Sequence, residues 1–151
     1  MGVIVGTEDG HPVVRGVVLD DSGIEVGEIQ HLTDLRNDVG TQLDELAKAI
    51  ETAIQANSPE VMVIRTGRIH MWERRRMTAT RARAEGVLLA TCRDHGVHVL
   101  VMDGDEVGRV VGGDRASADK AAKGWASKGF VEAGAAALAA HSIAQRGGRS
   151  S

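Results

Sequence analysis

Short apolar runs broken by turn residues dominate the first thirty positions of the chain. Val3 to Thr7 is the first run, and it stops at Glu8-Asp9-Gly10, a sequence with turn chemistry. Val13 to Leu19 is the second, rich in valine, and it ends at Asp20-Asp21-Ser22-Gly23. Ile24 to Ile29 alternates apolar with polar or small residues, the period of a half-exposed antiparallel strand. Short connections between the three runs make an antiparallel meander the economical pairing.

The period then lengthens. Leu43, Leu46, Ala47, Ile50 and Ile54 recur at spacings of three and four, which predicts a helix over Asp38 to Ala56 with one apolar stripe. Pro59 marks its end, and Val61 to Ile64 reads as a short buried strand. A second helix is expected over about Thr78 to His95, with Ala82, Val87, Leu88, Leu89 and Cys92 on its buried side and Gly96 as its stop. Val97 to Met102 is another buried strand, closed by Asp103-Gly104-Asp105. Ser117 can cap a short helix through Trp125, and an Ala-rich helix follows from about Gly129 to Gln145. Three meander strands, then two strands each reached by a crossover helix, predict an α/β protein. Its mixed five-stranded sheet pairs an antiparallel meander with two parallel strands, and helices flank it. This is the element order of the ribonuclease H-like fold. A Rossmann-like sheet would alternate strand and helix from the start, and a ferredoxin-like one would place a helix after the first strand.

With 151 residues the chain is expected to form one domain over 1–145, with a flexible Gly/Arg/Ser-rich tail at 146–151. Its one cysteine, Cys92, cannot build a disulfide framework or a thiolate zinc cluster, and it reads as a small buried apolar residue. The only aromatic residues are Trp72, Trp125 and Phe130, too few for single-strand binding by base stacking. No signal peptide or long apolar run is evident, so a cytoplasmic location is expected.

Charge changes the picture most. The sequence has 18 Lys and Arg against 21 Asp and Glu. Seven of the basic residues, Arg65, Arg68, Arg74, Arg75, Arg76, Arg81 and Arg83, fall between Val61 and Arg83, where Glu73 is the sole acid. That leaves 11 basic and 20 acidic residues elsewhere. A basic segment on an acidic body is an electrostatic handle for a polyanion, and the guanidinium fork suits phosphate oxygens. The bland reading, a solvated ion-paired helix face, lacks local acids to pair with. His70 sits in the same segment, and the six histidines show no metal-ligand spacing.

The stretch Thr78 to Lys120 resembles the second half of RuvC-type Holliday junction resolvases. The matching pieces are the helix Ala82-Arg83-Ala84-Glu85-Gly86, the run Glu106-Val107-Gly108-Arg109-Val110-Val111-Gly112-Gly113, and Ala118-Asp119-Lys120. The opening Val3-Ile4-Val5-Gly6-Thr7-Glu8-Asp9-Gly10 loosely matches that family's first strand and turn. The resemblance implies a ribonuclease H-like fold and a DNA substrate cut with two divalent ions, Mg2+ as the expected cofactor, held by carboxylates at the sheet centre. Carried over, the first-strand acid falls on Glu8 and the final-helix acids leave Glu132. The glutamate that should end the fourth strand falls on Arg65, which repels a cation. Asp103 stands near the strand end where the related YqgF-like nucleases place an acid. Asp114 and Asp119 read as turn and cap residues.

Three readings follow. In the first, a RuvC-like protein without a complete nuclease centre binds duplex or branched DNA by its backbone through the seven arginines. The second is an active, divergent, Mg2+-dependent junction endonuclease that uses Glu8, Asp103 and Glu132 as catalytic and metal-binding residues. The third is an interaction module, its arginines docking an acidic protein partner or a second copy of the chain. A homodimer is what the resemblance implies for a two-fold symmetric junction.

Overall fold

The three N-terminal runs form β1 (Gly2–Glu8), β2 (His11–Leu19) and β3 (Glu25–Leu32) in a computed structural model. It describes residues 1–8, 11–66 and 75–148, with only the backbone at 7, 8, 11 and 75–78. β1 pairs antiparallel with β2, setting Val5 opposite Val14 and Glu8 opposite His11, and β2 pairs antiparallel with β3. After helix α1 (Val39–Asn57), β4 (Val61–Arg65) enters parallel to β1. After α2 (Arg75–Asp94), β5 (His98–Met102) enters parallel to β4. The sheet order is β3-β2-β1-β4-β5, the meander followed by two parallel strands, as the periodicity predicts. Among the described residues no helix is long and apolar enough to cross a membrane.

Alternation along the strands divides the core in two. Val3, Val5, Met62 and Ile64 pack with Leu46 and Ile50 of α1 and Leu88 and Cys92 of α2. Cys92 has the apolar role expected of it: its Sγ lies 3.2 Å from Met62 Sδ, and burial pushes the thiol up to about 11. On the opposite face, Val61 and Val63 meet three helices: α3 (Gly104–Val111), α4 (Arg115–Lys123) and α5 (Val131–Gly148). α5 presents a wall of buried alanines to the sheet. It rides so close to β1 that a Cβ on Gly2 would lie 2.0 Å from the Ala137 nitrogen. That approach brings the start of α5, with Glu132, down to the sheet.

Several boundaries differ from the sequence reading. The Asp103-Gly104-Asp105 segment opens a helix, α3, because Asp103 and Glu106 form a reciprocal capping box that satisfies the first free N–H groups. α2 starts at Arg75 rather than Thr78. α5 continues to Gly148, into the span expected to be a tail, and Arg146 Nη2 donates to the Val110 carbonyl at 3.0 Å. Residues 149–151 lie outside the described residues.

Candidate functional site

All five residues of β4 are buried, and the last of them is an arginine. Arg65 stands between its register partners, Ile4 on β1 and Met102 on β5, at the carboxyl edge of the sheet. It is 1% exposed. A guanidinium keeps its charge in a protein, so a buried one has to be compensated by acids and hydrogen-bond acceptors. Asp119 on α4 provides the main compensation. Nη1 of Arg65 donates to Oδ1 at 2.5 Å and Nη2 donates to Oδ2 at 3.3 Å, a two-pronged contact. Glu132, in the first turn of α5, brings Oε2 to 4.0 Å from Arg65 Nε. Arg115, one turn before Asp119, has its Nε 4.0 Å from Asp119 Oδ2.

Glycines let these groups converge. A Cβ on Gly104, the first residue of α3, would sit 2.9 Å from Arg65 Nη2 and 2.8 Å from Arg115 Nε. A Cβ on Gly108 would lie 2.2 Å from the Asp114 carbonyl carbon, so α3 and the start of α4 pack backbone to backbone. The result is a cluster of two guanidinium groups and two carboxylates, assembled from β4, α4 and α5 under the N-terminus of α3.

The described residues do not fit a divalent ion. Such an ion needs several oxygens converging on one point, and the oxygens here face a guanidinium instead. A second cation brought within about 4 Å of Arg65 would be repelled by it. Among the described residues no group of three or more His, Cys, Asp or Glu is placed to hold a metal. Of the three acids considered as a metal set, Glu132 lies beside Arg65. Asp103 is committed to capping: its Oδ1 accepts from the Glu106 N–H at 2.8 Å while Glu106 Oε2 accepts from the Asp103 N–H at 2.8 Å. Glu8 closes β1, and its side chain lies outside the described residues. Asp114 has the cap role expected of it, accepting from the Ser117 N–H at 2.7 Å, and hydrogen bonding from Ser117 holds its carboxyl below the usual range.

The seven arginines divide. Arg65 was expected to meet a phosphate at the strand end, and burial against Asp119 removes it from the accessible set. Arg68 and Arg74 lie outside the described residues. Arg75 and Arg76 open α2, whose first turn holds no acid. Arg81 is half-buried and Arg83 is exposed on the same helix. Burial raises the Glu85 carboxyl, and the Arg81 charge opposes that rise.

Sequence reasoning missed the partners of Arg65. Asp119 reads as a cap in sequence, though Arg115 four residues before it was a visible sign of a paired face. Arg15 was missed as well. It shares a register row with Ile4 and Arg65, lies 5.8 Å from the Phe130 ring centroid and borders a cavity of about 280 Å3 together with Gly6, Val13 and Glu132.

No family model matches the chain, and no curated protein is similar to it in sequence. Its fold is shared with solved structures. Thermus thermophilus RuvC superposes with a TM-score of 0.73 at 14% identity, covering 97% of this chain and 95% of that one. The same Thermus protein in complex with a Holliday junction substrate gives 0.69 at 14% identity, over 97% and 94% of the two chains. The yeast mitochondrial Holliday junction resolvase gives 0.52 at 10% identity, over 93% and 75%. The chain therefore has a RuvC-like, ribonuclease H-like fold.

Proposed function

We propose that this chain, built on the RuvC-like fold, binds duplex or branched DNA through its phosphate backbone and holds it without cutting. The observation that carries the reading is the placement of the arginines of α2. Arg75 and Arg76 sit in the first turn of a 20-residue helix that has no acid there, where the macrodipole favours anions and disfavours cations. Positive charge gathered at a helix N-terminus costs the free protein stability, and an arriving phosphate relieves that cost. Arg81 and Arg83 add two further basic residues to α2, while the rest of the chain is acidic, with 11 basic and 20 acidic residues outside Val61 to Arg83. One structural neighbour is held in complex with a Holliday junction substrate and another is a Holliday junction resolvase, which makes a branched duplex the first ligand to try. A junction has two-fold symmetry, so a homodimer is the assembly that would match it.

The absence of cutting rests on Arg65. A two-metal mechanism needs cations clamped between carboxylates and the reacting phosphate, and the guanidinium of Arg65 takes the position beside Asp119 and Glu132.

Binding of a synthetic four-way junction and a linear duplex, measured by fluorescence anisotropy across a salt series, tests this. The expected result is affinity that falls steeply with salt. The triple variant Arg74→Ala/Arg75→Ala/Arg76→Ala should lower the slope of log K against log salt by about 3. No binding of either DNA at low salt would refute the reading and leave the arginines to a protein partner. Mg2+-dependent cleavage that disappears in Glu8→Ala would instead establish the active endonuclease.

A further inference from the structure

A strand at the edge of a sheet leaves alternate backbone N–H and C=O groups without a neighbour, and native proteins blunt such edges with Lys, Pro or brevity. The edge at β5 is brief, five residues long. The edge at β3 runs for eight residues, Glu25–Leu32, and holds neither Lys nor Pro. Its outward backbone groups follow from the ladder. The Thr33 N–H donates to the Pro12 carbonyl, and the register sets His31 opposite Val14 and Ile29 opposite Gly16. Along an antiparallel strand, residues bonded to the neighbour alternate with residues turned away from it. Glu28, Gln30 and Leu32 therefore direct N–H and C=O away from β2. The bulge at Val18/Leu19 lies beyond this run, beside Glu25.

The side chains around that edge are selective. Ile24, Val26, Leu32, Leu35 and Val39 are five of the seven large apolar side chains exposed among the described residues, and all fall within residues 24–39. Residues 20–51 carry nine Asp and Glu against Arg36 and Lys48 alone. Both bases are taken, Arg36 by Asp34 and Lys48 by Asp44, each at 2.7 Å. Glu25 is held above the usual carboxylate range, first by desolvation and then by the charge of Glu28. A second copy of β3 would bring these acids against their own kind, which destabilises a strand pair. A cationic strand would be attracted.

We propose that β3 is a docking edge for another protein, in which an extended basic segment alternating Lys or Arg with apolar residues pairs along Glu28, Gln30 and Leu32 as a sixth strand. Main-chain hydrogen bonds supply the affinity of such an addition. Val26 and Leu32 meet the guest's apolar side chains, and the excess of acids selects its basic ones. The proposal does not draw on the DNA reading, and its test contains no nucleic acid.

The probe is a fluorescein-labelled, end-blocked peptide of eight residues, the length of β3, alternating arginine with valine. Its binding to the full chain is read by fluorescence anisotropy and its footprint by amide hydrogen exchange. Binding should weaken as salt rises, and exchange at the Glu28, Gln30 and Leu32 amides should slow by roughly tenfold or more. Gln30→Pro deletes an outward N–H, which an edge strand tolerates. It should weaken binding by roughly tenfold and leave the circular dichroism spectrum unchanged. Val26→Lys/Leu32→Lys puts like charge at the edge and should weaken binding as well; it decides the matter if Gln30→Pro does not fold. A peptide with glutamate in place of arginine should not bind. No binding of the basic peptide, equal binding of the acidic one, undiminished binding by either folded variant, or exchange unchanged at the three amides would each overturn the proposal. So would a wild-type dimer in sedimentation that Gln30→Pro dissociates, since a second copy would then occupy the edge.

Discussion

Arg65 is tolerated in the interior because Asp119 meets it with both carboxylate oxygens, and the dependence is lopsided. Neutralising the acid strands a charge that cannot leave. Asp119→Asn is therefore expected to destabilise the protein by about 3 kcal/mol, read from urea denaturation, although Asp119 itself is partly open to solvent. Two histidines give stability a pH dependence of opposite signs. Burial lowers the pKa of His31, with Glu45 pulling the other way, and its Nε2 has no partner among the described residues. Its neutral form is favoured by folding, so stability is full above about pH 6.5 and declines as the pH falls through that value. His95 is raised, first by its bond to the Thr91 carbonyl and then by Glu51, 3.1 Å away. Its contribution is full below about pH 6.5 and fades as the pH rises through the raised value. Denaturation midpoints between about pH 5 and 8 should show the acid-side loss reduced in His31→Asn and the alkaline-side loss reduced in His95→Gln. At this scale the sequence was only half legible. The charge of Arg65 and its misfit with a metal site could be read from one position. Its burial and its partner could not, because Asp119 lies 54 residues away and no local pattern joins them.

Helices and strands were easier to read where one period ran long enough. The meander was legible because β1 to β3 each repeat over seven or more residues, and α1 because its apolar stripe, Leu43 to Ile54, runs for about three turns. α3 escaped because its eight residues hold too few apolar positions to establish a period. The signal that would have found it was chemical rather than periodic, an Asp and a Glu three residues apart. The same capping box separates two roles for Asp103. If it serves only as a cap, Asp103→Ala should cost about 1 kcal/mol in chemical denaturation while leaving DNA affinity unchanged. A loss of DNA affinity out of proportion to that cost would return Asp103 to the list of functional residues.

Seen whole, the molecule separates two uses of arginine along one stretch of chain. The first of the series is spent inside, and those from Arg75 onward lie on a helix whose first turn has no acid. Long-range attraction of a polyanion depends on the second group and on salt. Charge elsewhere should not matter in the same way. Arg36, highly exposed and already paired with Asp34 at 2.7 Å, serves as a control: Arg36→Ala should leave the salt dependence of junction binding unaltered, whereas Arg81→Ala/Arg83→Ala should flatten it by about 2 in log–log slope. Equal effects from the two variants would mean that net charge alone governs binding and that α2 has no special part in it.

The close approach of Gly104 to two guanidinium groups also constrains how such a protein can change over time. A side chain at 104 collides with Arg65 and Arg115; an acid at 65 loses its reason to face Asp119; a neutral residue at 119 abandons Arg65. Each of these steps disturbs a contact that the others make, so they should be inherited as a set. Lineages in which 65 is a carboxylate should differ at 104, 115 and 119 together, and intermediates holding only part of the set should be scarce.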